Sequence, residues 1–277
     1  MENVPHYPED TFYADCAIYS LEPFIGTSYS CDGGMIVCPG AWVHAMINAP
    51  EDLRYEASVS VHTRSTFARL GLDMCIDQSE YQRIIFRKNP LTTICVTIIN
   101  EGNWPVMVRE GDTVAVMGRS KLFRLAAERV DLHAGSTRVE IIEENLPIFE
   151  IPEVGEIRYI DPSQVKFGQY TKVISFETMD VCAGDYVVMS VKEQVIVAKN
   201  RIGMVTLAME QHAHFNSSVL VYPGWSGYLA IEFKAHEDMQ IVSGALVAWL
   251  LLFQNYRPLD LYSGKYNKQQ QQSIEPR

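Results

Sequence analysis

Val242-Ser243-Gly244-Ala245-Leu246-Val247-Ala248-Trp249 repeats the pattern of Arg109-Glu110-Gly111-Asp112-Thr113-Val114-Ala115-Val116. In both, a glycine turn leads into apolar and β-branched residues, a sequence that favours a tight reversal and then a pleated strand. Holding Gly244 over Gly111 places Pro223 over Pro90. After a gap, Ala183-Gly184-Asp185-Tyr186-Val187 falls over Pro39-Gly40-Ala41-Trp42-Val43. A single β-rich unit written twice is the economical reading. Each half is large enough to sustain its own core.

Working outward, short β-segments recur between turns. Met35 to Val37, Trp42 to Met46, Ala57 to Val61, Thr92 to Ile99 and Thr113 to Met117 read as strands of the first half. Thr171 to Phe176, Tyr186 to Val191, Ile202 to Met209 and Ala245 to Phe253 read as strands of the second. Residues up to about Thr27 are mixed, with Tyr7-Pro8 and Glu22-Pro23 interrupting any long element. Arg64 to Leu72 lacks strand alternation and reads as one or two helical turns ending at Gly71. Ser120 to Val130 reads as a short helix or amphipathic connector, and the acidic Glu140 to Glu156, with Pro147 and Pro152, as a linker. The expected division is 1–119, a connector at 120–156, and 157–277. The tail from Asn255 is polar and Gln-rich, a composition that stays flexible until something orders it.

The chain has 277 residues and a formal net charge of −11. That balance argues against a general nucleic-acid or anionic-membrane binder, which needs a basic face. The N-terminus has neither a basic start nor an apolar core, and the longest apolar run, Ala245 to Phe253, is too short to span a bilayer. A cytoplasmic protein is the expectation. The six cysteines contain no C-x-x-C pair and read mostly as reduced core residues. His212-Ala213-His214 has metal-ligand spacing, but lone H-x-H pairs are common and nothing completes a tetrahedral set, so no zinc is expected.

The chemistry-bearing stretch of the second half is Pro223-Gly224-Trp225-Ser226-Gly227-Tyr228-Leu229-Ala230-Ile231-Glu232-Phe233. A carboxylate among apolar strand residues either points to water or points inward, where its pKa rises and it becomes a candidate general base. In the first half the distinctive stretch is Arg64-Ser65-Thr66-Phe67-Ala68-Arg69-Leu70-Gly71-Leu72.

The latter resembles the R-S-S-L-A-R-L-G-L signature of dCTP deaminases, members of the dUTPase-like β-barrel superfamily. Pro223 to Gly227 with Glu232-Phe233 resembles that family's D-P-G-W-S-G-x-x-x-x-E-F motif, and Tyr262-Ser263-Gly264-Lys265-Tyr266-Asn267-Lys268-Gln269 resembles its C-terminal lid. The three occur in the family's chain order. The resemblance implies a mainly β fold of two tandem distorted, jelly-roll-like β-barrels with a few short helices. It implies metal-free deamination of a deoxycytidine nucleotide, with Mg²⁺ on the triphosphate.

By the same resemblance Glu232 is the general base, Arg69 and Ser65 position it and the water, and Arg64 and Thr66 reach the phosphates. Ser218, Trp225 and Tyr262 belong to the nucleotide contacts, with Lys265, Tyr266 and Gln269 in the lid. For Trp225 itself, a core aromatic following a turn is the simpler reading. The aligned stretch Leu207 to His212 has neither arginine, and the first half has Ile99 opposite Glu232. Each half keeps what the other lacks, so one composite site per chain is expected. Tyr222 stands where the family has Asp, and Phe215 to Val219 departs from its base-pocket run. A non-catalytic nucleotide-binding, regulatory or structural descendant is the alternative, with a dUTPase or bifunctional enzyme behind it. The small deoxynucleotide is the expected partner, and monomer and homotrimer both remain open.

Overall fold

The computed structural model describes residues 12–22, 28–31, 33–48, 59–76, 93–119, 126–151, 155–163, 167–209, 212–215 and 220–254. The expectations for Ser218, Tyr262, Lys265, Tyr266 and Gln269 fall on residues outside these. Strands dominate; the described helices are the single turns Ser65–Ala68 and Phe167–Tyr170 and a 3-10 turn at Glu143–Asn145. None is long and apolar enough to cross a membrane.

Two large curled antiparallel sheets carry the fold. The first runs Val59–Thr63, Thr113–Arg119, Phe12–Glu22, Trp42–Asn48, Thr93–Asn100, Leu72–Ile76. The second runs Arg201–Leu207, Leu246–Gln254, Ala126–Ile141, Tyr186–Ile196, Ser226–Ala235, Ala213–Phe215, with Leu220–Val221 and Thr171–Ser175 added beside it. Strand for strand in chain order, the two sheets have the same topology.

The turns repeat as well. Gly40 N–H donates to Asn100 O (2.7 Å) and Asn100 N–H to Ala41 O (2.9 Å). In the second half Gly184 donates to Ala235 O and Ala235 to Asp185 O, both at 2.9 Å. Gly111 donates to Ile18 O and Gly244 to Ala134 O, at 2.9 and 2.8 Å. Asn100 is therefore the counterpart of Ala235, and Glu232 occupies the place of Thr97 rather than Ile99. The sequence register slips because the first half is longer between Asn100 and Gly111 than the second between Ala235 and Gly244.

Alternation builds the cores. Val43, Ala45 and Ile47 of one strand and Ile94, Val96 and Ile98 of its neighbour point inward, so one face of the sheet is apolar. The halves have separate apolar clusters, one around Val43, Ile94 and Leu72 and one around Met189, Ile231 and Phe233.

Three sequence expectations need correction. Residues from Ala126 onward in the expected Ser120 to Val130 connector begin the strand Ala126–Ile141, at the middle of the second sheet. Pairing with Leu246–Gln254 and Tyr186–Ile196 overrides a locally ambiguous pattern. The acidic linker is ordered where described: Ile148–Ile151 and Gly155–Arg158 form a hairpin, while Leu146 and Ile160 join the first core. Arg109 grips Asp161 there through two hydrogen bonds of 2.6 and 2.7 Å. The supposedly irregular N-terminal segment contains the eleven-residue strand Phe12–Glu22, whose register shifts after Cys16 and Ile18 break its alternation. Cys38 is buried, while Cys75 and Cys182 are exposed.

Candidate functional site

The Arg64 to Gly71 loop leaves the strand Val59–Thr63 at the seam between the halves. Arg64 is still extended and its N–H donates to Val114 O at 2.8 Å. The next four residues make one helical turn that buries Phe67 and Ala68. The turn closes at Gly71, whose φ is +88°; a Cβ there would lie 2.2 Å from the Gly102 Cα. Gly71 O accepts from Glu101 and Gly102 N–H at 2.8 and 3.2 Å. The loop is thus clamped to the Asn100–Trp104 turn, which Asn100 braces: its Nδ2 donates to Val37 O and Trp104 O, and its Oδ1 accepts from Gly102 N–H. These contacts aim Arg69 out of the first half.

Glu232 comes from the opposite side. In Ser226–Ala235 the residues Gly227, Leu229, Ile231, Phe233 and Ala235 face the second core, which puts Glu232 on the strand's outer face. Local alternation would leave it in water. It is nevertheless only 3% exposed, because the first half covers it, and Arg69 is 5% exposed. Arg69 Nε lies 3.5 Å from Glu232 Oε1, an ion-pair separation longer than a direct hydrogen bond. Burial pushes the Glu232 carboxyl from 4.5 up to about 7, against the opposing pull of the Arg69 guanidinium.

The remaining expected site residues divide clearly. Arg64, Ser65 and Thr66 are half-buried on the same loop as Arg69. Trp225 is 7% exposed and packs in the second core. It is the core aromatic that its position after the Pro223-Gly224 turn suggested. That turn is pinned by Gly224 N–H to Val197 O and Val197 N–H to Trp225 O, both 2.9 Å.

A cavity of about 300 Å³ opens beside the pair, bounded by Arg69, Trp104, Arg138, Glu140, Asp185 and Tyr186 among others. Glu232 is absent from its walls, although Val188, its cross-strand neighbour, contributes to them. Arg69 is the residue common to cavity and carboxylate.

Sequence reasoning missed two features of this seam. Tyr186 OH donates to Ala68 O at 2.6 Å, and its N–H approaches Asn103 Oδ1 at 3.4 Å, so Tyr186 anchors the Arg69 loop from the second half. Its place after the Gly184-Asp185 turn marked an element start, but nothing local marked a partner 118 residues away. The other feature is the grouping of Asp73, Glu101 and His214. Burial raises the Glu101 carboxyl, while the charge of His214 opposes the shift.

No protein-family model matches the chain, and no curated protein matches it in sequence. Among solved structures, it is similar to the crystal structure of 2'-deoxycytidine 5'-triphosphate deaminase from Agrobacterium tumefaciens. The TM-score is 0.56 at 11% identity, over 90% of this chain and 90% of that one. At that identity the likeness establishes the fold: a mainly β, dUTPase-like architecture of curled sheets.

Proposed function

We propose that this chain hydrolytically deaminates a deoxycytidine nucleotide, dCTP to dUTP plus ammonia, at one composite site built from both halves. The observation that carries the reading is the buried Arg69–Glu232 pair. It joins two stretches that separately resemble the deaminase signatures, and the fold likeness agrees with it. The shared strand order fits descent from a duplicated unit in which each half kept a complementary part.

Glu232, with its pKa about 7, is suited to exchange protons near neutrality. Its carboxylate takes a proton from water, and the hydroxide adds at cytosine C4. That proton passes to ring N3; Glu232 then carries the C4 hydroxyl proton to the exocyclic amine, and the C4–N bond breaks as ammonia leaves and the C4 carbonyl forms. Arg69 holds the carboxylate in place and balances its charge. Arg64 and Thr66 are the candidate phosphate contacts, with Lys265 and Gln269 closing over them; Mg²⁺ arrives as part of the triphosphate substrate. Ser65 orients the attacking water.

The enclosure of Glu232, outside the walls of the neighbouring cavity, favours one second reading: the pair is a structural tie in a nucleotide-binding or regulatory protein. Tyr222, where the family has Asp, speaks against a dUTPase. Incubation with dCTP, dUTP and dCMP plus Mg²⁺, with Glu232→Ala as control, separates these. Ammonia release from a cytidine nucleotide, abolished in the variant, supports deamination. Pyrophosphate release from dUTP supports a dUTPase, and no turnover of any nucleotide supports the tie.

A further inference from the structure

The seam holds a second polar cluster that the proposed reaction does not use. Asp73 lies on Leu72–Ile76, Glu101 directly follows Thr93–Asn100, and His214 is the middle residue of Ala213–Phe215. One ligand atom from each lies within 4.8 Å of the others. His214 Nε2 is 3.8 Å from Asp73 Oδ2 and 3.9 Å from Glu101 Oε2. These separations are too long for hydrogen bonds.

Glu101 Oε2 is buried without a hydrogen-bond partner, an arrangement that is costly for an anionic oxygen. Asp73 is already oriented through its other oxygen, which accepts from Thr63 Oγ1 (3.2 Å) and Met74 N–H (2.7 Å). Its Oδ2 is the oxygen closest to His214. The His236 ring lies 6.2 Å from that of His214.

We propose that Asp73, Glu101 and His214 form a divalent-metal site, of the kind that takes Zn²⁺ or Mn²⁺, tying the two halves together. Two carboxylate oxygens and an imidazole nitrogen are a donor set for such ions. Bonds of about 2.0–2.2 Å place tetrahedral ligand atoms roughly 3.3–3.6 Å apart, so the two His214 pairs, at 3.8 and 3.9 Å, need to close by only a few tenths of an ångström. Strand register adds an independent reason. Leu72 pairs with Asn100 as Ala213 pairs with Ala235, which makes Asp73 and His214 the same position in the two halves. By the same register Glu101 corresponds to His236. Carboxylates in one half and imidazoles in the other give a mixed donor set where these positions converge. The three ligands do not include Arg69 or Glu232, and the inference stands whether or not the chain is a deaminase.

The test is titration of chelator-treated full-length protein with Zn²⁺ by calorimetry and with Co²⁺ by visible absorption. One equivalent per chain is expected, with ligand-field bands and a rise in melting temperature. His214→Ala and Glu101→Gln should each weaken binding at least roughly tenfold, with the apo circular dichroism spectrum retained. Should His214→Ala not fold, Glu101→Gln, a near-isosteric change, decides alone. His212→Ala should leave affinity unchanged, since His212 is exposed and paired with Glu237. Absence of stoichiometric metal on the wild type, unchanged affinity in Glu101→Gln, or loss of binding in His212→Ala overturns the site.

Discussion

At the residue scale, the Glu232 carboxyl near 7 makes a thermodynamic signature independent of any substrate. In the folded chain it holds its proton up to about pH 7; in the unfolded chain it releases it near 4.5. The raised folded pKa therefore contributes stability that is fully present below the unfolded value and is lost as pH rises through the folded one. The loss amounts to about 3 kcal/mol. Unfolding by denaturant at pH 4 and pH 8, for wild type and Glu232→Gln, should show the stability difference moving against the wild type by about that amount. A difference flat across that range contradicts a buried, raised carboxyl. Removing the opposing guanidinium in Arg69→Ala should raise the Glu232 pKa further, detectable by carboxyl infrared titration. If Glu232 is the base, kcat for deamination should fall below about pH 7 along a single-proton limb. Arg69→Ala should shift that limb to higher pH.

At the element scale, the Arg64–Gly71 loop is positioned by backbone closeness more than by its own helix, which is one turn long. Gly71→Ala adds a side chain at φ +88° against the Gly102 backbone. The expected cost is about 3 kcal/mol, with Arg69 displaced from Glu232 and the pH signature above weakened. Wild-type melting for Gly71→Ala excludes the clamp. Asn100→Ala leaves Val37 O, Trp104 O and Gly102 N–H without their side-chain partner in a fully buried place. It should cost roughly 2–4 kcal/mol, measured by thermal or denaturant unfolding. The loop itself was legible, because Arg64 to Gly71 breaks strand alternation and ends on a glycine. The brace was not, since Asn100 gives no local sign of bonding to Val37. The strand Ala126–Ile141 was equally hidden, its place depending on neighbours far along the chain on both sides.

At the scale of the whole molecule, two separate apolar cores meet across a seam whose polar contacts include Arg69–Glu232, Tyr186 with Ala68 and Asn103, and the His214 group. Seam changes should therefore uncouple the halves while sparing each core. Arg69→Met combined with Tyr186→Phe is expected to resolve calorimetric unfolding into two transitions; a single unchanged transition argues for one cooperative core. The sequence alone determined that β-structure recurs in both halves and where the main turns fall. Those properties follow from local preferences and short-range periodicity. Only the tertiary structure decided that Glu232 is buried, that Thr97 is its counterpart, and that His214 meets two carboxylates. Each depends on what covers the outer face of a strand, and strand periodicity assigns a side chain to a face without specifying what packs against that face.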